Sequence, residues 1–198
     1  WHDLWKTLLP EGQHYILNKR ICGCGATEAY LRSGRKVILA SPRKHLLYNK
    51  YSQHLSDNLH LYRYQGDKKR YFENTGNTEK DIFAFNDELG RYIQSGGRKI
   101  LTTYDSLGKI VEVLLNSGEC LQEWIVVVDE FQSIFCDCQY KATTEYEFSM
   151  ILGMFSTVVY LSATPFLESY LEMTGQFGGL TVYELLWPAN MTQIPEVE

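Results

Sequence analysis

Residues Trp124, Ile125, Val126, Val127 and Val128 form an unbroken apolar run, mostly β-branched, that stops at two adjacent acids, Asp129 and Glu130. A half-solvated strand would alternate apolar and polar residues. This run instead fits a strand covered on both faces, as in the middle of a parallel sheet. The carboxyl ends of such strands are where open α/β sheets bind their ligands. The run therefore predicts an α/β fold with two carboxylates at the mouth of its binding crevice.

The rest of the chain supports that architecture. Short apolar segments at 15–17, 37–40, 59–64, 99–103, 157–161 and 180–186 read as further strands. Between them, helical patterns cover 27–32, a stretch from Pro42 to about His54, 82–93, 106–115 and material up to Met154. Gly96, Gly97 and Gly118 stand where helices should stop. Residues 65–80 are rich in Gly, Asn, Thr and charge and read as a polar insertion. Strands alternating with helices imply a mostly parallel central sheet, flanked by helices on both faces and joined by right-handed crossovers. The expectation is one domain over residues 1–198, without internal repeats.

Charge is unevenly spread. The net charge is −5, which argues against a general polyanion binder. Residues 1–110, however, carry 18 Lys and Arg against 11 Asp and Glu, while 111–198 carry 1 against 13. Such asymmetry suggests one edge facing phosphates and another that does not. The five cysteines form no disulfide framework: Cys22 and Cys24, and Cys136 and Cys138, are each one residue apart, and Cys120 stands alone. Reduced thiols are expected, and with no membrane-length apolar run and no secretory signal the expected location is cytoplasmic, or the host cytoplasm if the source is viral. Trp1 in place of an initiator methionine suggests a piece of a longer protein.

Gly23-Cys24-Gly25-Ala26-Thr27 follows the first expected strand and opens a helix. Glycines there leave backbone N–H groups bare and suit the loop to cradling phosphates, with the Thr27 hydroxyl placed to help hold Mg²⁺. The usual loop has Gly-Lys-[Ser/Thr] at this point, and here alanine takes the lysine's place.

Five motifs now stand in order: Gly23–Thr27, Ser41-Pro42-Arg43, Thr102-Thr103-Tyr104-Asp105-Ser106-Leu107, Asp129-Glu130-Phe131-Gln132 and Ser162-Ala163-Thr164-Pro165. Each falls at the end of an expected strand. The series, over about residues 13–170, resembles the first RecA-like domain of superfamily 2 helicases and translocases, a P-loop NTPase fold. The resemblance implies ATP and Mg²⁺ as cofactors. ATP would lie on Gly23, Cys24, Gly25, Ala26, Thr27 and Glu28, with Mg²⁺ between Thr27 and Asp129 and Glu130 polarising the attacking water. It further implies that Gln132, Ser162, Ala163 and Thr164 couple the nucleotide state to a nucleic acid. Ser41, Pro42, Arg43, Thr103, Tyr104 and Ser106 would contact the sugar-phosphate backbone. DNA is favoured over RNA as the partner, together with a second RecA-like domain that completes the site.

Ala26 leaves two explanations. Either the domain has lost catalysis and serves as a scaffold or nucleic-acid-binding module, or another cation enters the pocket. Lys19, just after the first strand and next to Arg20, is the expected substitute. The ATPase of a viral DNA-packaging motor is a further alternative with similar parts. Gln13 is a weaker candidate for recognising adenine, and the basic-aromatic stretch from Lys68 to Phe72 for clasping a single strand.

Overall fold

The computed structural model describes residues 10–54, 58–62, 64–65, 70–71, 79–136, 146–163 and 179–186. Nine strands are described: β1 His14–Asn18, β2 Lys36–Ser41, β3 His60–Leu61, β4 Tyr64–Gln65, β5 Arg70–Tyr71, β6 Lys99–Thr103, β7 Trp124–Asp129, β8 Thr157–Ser162 and β9 Thr181–Glu184. Seven of them form one sheet in the order β3-β6-β2-β7-β8-β1-β9, and every pairing in it is parallel. The fold is α/β. The acid-tipped run is β7, the central strand, and Trp124, Val126, Val127 and Val128 are fully buried. Each such side chain contributes about 1.5–3 kcal/mol through removal of apolar surface from water.

The pleat divides the strands' side chains between two apolar clusters. Ile16, Ile38, Ile100, Val126, Val128 and Val158 pack on one face, and Leu17, Leu39, Leu101, Val127, Val159 and Leu161 on the other. Helices α1 (Ala26–Arg32) and α2 (Lys44–Gln53) cover the second face through Tyr30, Leu31 and Leu47. Helices α3 (Glu79–Gln94) and α4 (Leu107–Asn116), with helical residues 146–152, cover the first. Chain order explains the division. From β1 to β3 the chain moves outward to one edge, and from β3 to β9 it travels back across the sheet. With crossovers of one hand, a reversal of direction must move the helices to the opposite face.

The glycine stop signals act as expected. Gly96 takes φ 85°, with Gly97 N–H on the Tyr92 carbonyl at 3.0 Å and Gly96 N–H on that of Ile93 at 2.9 Å. These paired bonds close α3 in a Schellman turn, and Gly118 closes α4 in the same way.

Two expectations change. The strand expected over 59–64 is cut to two residues in the main sheet, and Tyr64–Gln65 pairs antiparallel with Arg70–Tyr71 in a separate ribbon. The polar insertion expected over 65–80 holds β5, and α3 starts within it at Glu79, three residues before the helix expected over 82–93. Alternation marks a strand but carries no information about its partner. The stretch up to Met154 holds a short helix, α5 (Gln132–Cys136), before residues 146–152.

Candidate functional site

The period of two along each strand selects the site. Leu17, Leu39 and Val127 all face α1 and α2, so the next residue on the same side of each strand is Lys19, Ser41 and Asp129. Three polar residues thus collect at the carboxyl ends of strands whose preceding positions are apolar. β8 lies between β1 and β7, with Leu161 paired to both Leu17 and Asp129. Lys19 reaches across that strand, its Nζ 3.1 Å from Asp129 Oδ1, and the two side chains are 8% and 15% exposed.

Both partners are followed by a sharp bend. Arg20 has φ 58° and Glu130 φ 59°, left-handed values that side chains bearing a Cβ rarely adopt. Backbone bonds to β8 pin the two bends: Lys19 N–H donates to the Ser162 carbonyl at 2.7 Å, and Phe131 N–H to that of Leu161 at 3.2 Å. At the outer side, Glu184 Oε1 accepts from Asn18 Nδ2 at 3.2 Å and from Arg20 Nε at 2.6 Å. The Arg20 guanidinium holds Glu184 below the usual carboxylate range.

The loop Gly23–Thr27 lines the same cavity as this pair. Gly25 caps α1 at φ 82°, and no side chain caps the helix start. A cavity of about 450 Å³ lies between the loop, α2 and the strand ends. Lys19, Gly23, Thr27, Glu28, Asp129 and Glu130 line it on one side, and Leu46, Lys50 and Gln53 from α2 on the other. Ser41 also faces the cavity. It is 1% exposed, and among the described residues its Oγ has no hydrogen-bond partner. All six loop residues expected to hold nucleotide, Gly23, Cys24, Gly25, Ala26, Thr27 and Glu28, thus share one cavity with both acids and Lys19. Glu28 is also tied to Arg32 and to the buried His54, each at 2.6 Å.

The remaining expected residues lie around this centre. Gln132 donates from Nε2 to Glu130 Oε2, and its own Oε1 is buried without a partner among the described residues. Ser162 is buried at the end of β8, with Ala163 half-buried beside it. Thr164 lies outside the described residues. Pro42 is half-buried, and Arg43 is exposed at the start of α2 with Lys44 and His45. Thr103 Oγ1 and Ser106 Oγ are 3.3 Å apart at the end of β6. Tyr104 faces inward, donating its hydroxyl to the Asp129 carbonyl at 2.6 Å and packing on Phe148 with ring centroids 4.9 Å apart. Burial raises the Tyr104 phenol well above its ordinary range, and the charges of Asp129 and Glu130 add to this, so it stays a donor. Gln13 Nε2 donates to the Tyr183 hydroxyl at 3.1 Å. Lys68, Lys69 and Phe72 lie outside the described residues.

Lys50, Asn49 and Gln53 escape a motif-based reading because they sit in the middle of α2, at no strand end and beside no glycine. Their one sequence signal is helical spacing, with Lys50 and Gln53 four and seven residues after Leu46. Cys22, Cys24 and Cys120 are free thiols. Among the described residues, no group of three or more His, Cys, Asp or Glu forms a metal cluster, and no helix is long and apolar enough to cross a membrane. No protein-family model and no curated protein matches this chain.

Proposed function

We propose that this chain is the nucleotide-binding RecA-like domain of a Mg²⁺-dependent nucleoside triphosphatase of the helicase or translocase type. The observation that carries this reading is the cavity that joins the Gly23–Thr27 loop to the Lys19–Asp129 pair and Glu130. Its volume falls within the roughly 300–1,000 Å³ usual for small-molecule sites. The orphaned Ser41 hydroxyl fits a polar ligand, and the donor set is all oxygen, as a hard cation prefers.

Asp129 and Thr27 are the residues that would hold Mg²⁺. The ion supplies charge neutralisation at the phosphates and alignment of the phosphoryl group being transferred. Glu130, held by Gln132 and by its own left-handed bend, would orient a water and take up its proton. Lys19 orients the Asp129 carboxylate across β8, and Tyr104 holds the Asp129 backbone carbonyl. Pro42, Arg43 and Thr103, at the neighbouring ends of β2 and β6, would engage a nucleic-acid backbone, DNA before RNA, with Gln132, Ser162 and Ala163 coupling that contact to the nucleotide. A second RecA-like domain would complete the site.

Calorimetric titration with ATP and Mg²⁺ tests the reading on this chain. Saturable binding is expected, with slow hydrolysis that is lost in Glu130→Gln and Lys19→Ala while Glu130→Gln still binds. Absence of ATP binding at millimolar concentrations would overturn it. The Lys19–Asp129 pair itself favours a second reading, because the ammonium already compensates the carboxylate without Mg²⁺. A nucleotide-independent scaffold or nucleic-acid-binding module follows from that, and it requires nucleic-acid binding unaffected by ATP.

A further inference from the structure

We infer that Lys50 of α2, together with Ser41 of β2, holds the terminal phosphates of a nucleoside triphosphate, taking the part that a lysine at position 26 would play. The inference deepens the proposed nucleotide-binding function and rests on it. Alanine at position 26 leaves the loop without a cation of its own. Lys19 is engaged, since its Nζ lies 3.1 Å from Asp129 Oδ1 in a part-buried ion pair. Pulling it onto a phosphate would break this pair and leave Mg²⁺ alone to compensate the Asp129 carboxylate.

Lys50 is in the opposite condition. It is half-buried, lines the same cavity as the loop and both acids, and makes no hydrogen bond or ion pair among the described residues. Leu46, Lys50 and Gln53 form one stripe on α2 that lines the cavity shared with Asp129 and Glu130. Among the described residues, Lys19 and Lys50 are the two cationic side chains lining the cavity, whereas Arg43 and Lys44 at the start of α2 are exposed and do not.

Ser41 is the independent sign of a ligand. A buried hydroxyl without a partner costs about 1–3 kcal/mol, a cost that an acceptor from a bound phosphate removes. Lysine suits this part, because its ammonium is a compact point charge with three donors on a flexible stem and can adapt to a phosphate without a loop built around it.

The test compares ATP, AMP and inorganic tripolyphosphate as titrants, each with and without Mg²⁺, against the wild-type chain and the Lys50→Met, Lys50→Arg and Ser41→Ala variants. Thermal unfolding without ligand checks that each variant is folded. Lys50→Met is expected to weaken ATP and tripolyphosphate at least about tenfold, as loss of a charge-assisted hydrogen bond does, while AMP binding is unchanged. Lys50→Arg should recover part of the loss, and Ser41→Ala should weaken ATP a few-fold. If ATP binds the wild type and Lys50→Met equally well, the role of Lys50 is overturned and the nucleotide reading stands. If tripolyphosphate binds through Lys50 but ATP does not bind, the nucleotide reading falls and the anion site remains. If neither binds, both fall.

Discussion

Lys19, Asp129 and Ser41 show how much of this site depends on single atoms. The Lys19–Asp129 pair is part-buried, so desolvation offsets much of its attraction, while removing one partner leaves a poorly solvated charge behind. Lys19 is thereby fixed as a structural counter-ion as well as a functional candidate, and its variants must be examined for stability and binding together. His60 is a second residue whose environment sets its behaviour. It stacks on Tyr92 with ring centroids 5.1 Å apart, and burial lowers its pKa to about 4. Between the ordinary value near 6.5 and about 4, the unfolded chain binds a proton that the folded chain does not, so stability falls as pH drops through that window. Each tenfold difference in proton affinity between the folded and unfolded chain is worth about 1.4 kcal/mol. Denaturant unfolding at pH 7 and pH 4.5 should therefore show the wild type losing about 2 kcal/mol more than His60→Phe. Equal losses in the two proteins would contradict this.

At the scale of the element, the loop before α1 is the feature most dependent on backbone conformation. Gly25 adopts φ 82°, and a Cβ placed there meets no atom within 4 Å, so a substitution is opposed by backbone strain and not by contact. A left-handed conformation costs an ordinary residue about 1–2 kcal/mol. Gly25→Ala should lower the melting temperature by about 2–4 °C per kcal/mol for a domain of this size, and should weaken binding in the cavity that the loop lines. Gly34→Ala is the control. Position 34 is equally open, has no left-handed φ, and is expected to melt within about a degree of the wild type on the same scale. A Gly25→Ala melting temperature equal to that of Gly34→Ala would show that the loop relaxes to another conformation. Arg20 and Glu130 bend the chain in the same left-handed region without being glycines, and neither residue type gives that conformation away in a sequence.

Across the whole molecule, β7 holds the centre of the sheet and β3 and β9 its edges. The side chains of β2, β7 and β8 are almost entirely buried, while all four residues of β9 are exposed. Amide hydrogen exchange should follow this gradient, with Leu39, Val127 and Val159 opening only with global unfolding and Val182 and Tyr183 exchanging far sooner. Protection of β9 equal to that of β7 would mean that another segment covers the edge. The amino-acid sequence alone was enough to define the parallel α/β class, the central place of the 124–128 run and the helix stops at Gly96 and Gly118, and it singled out the loop and acids that line one cavity. Those features are local: a buried strand, a cap and a glycine turn each follow from neighbouring residues. The tertiary structure decided the rest. It put β8 between β1 and β7, set Lys19 against Asp129 across 110 residues of chain, turned Tyr104 inward, and brought Lys50 from mid-helix to the cavity wall. Strand order and helix placement arise from packing between distant segments, for which no local pattern of residue types carries a signal.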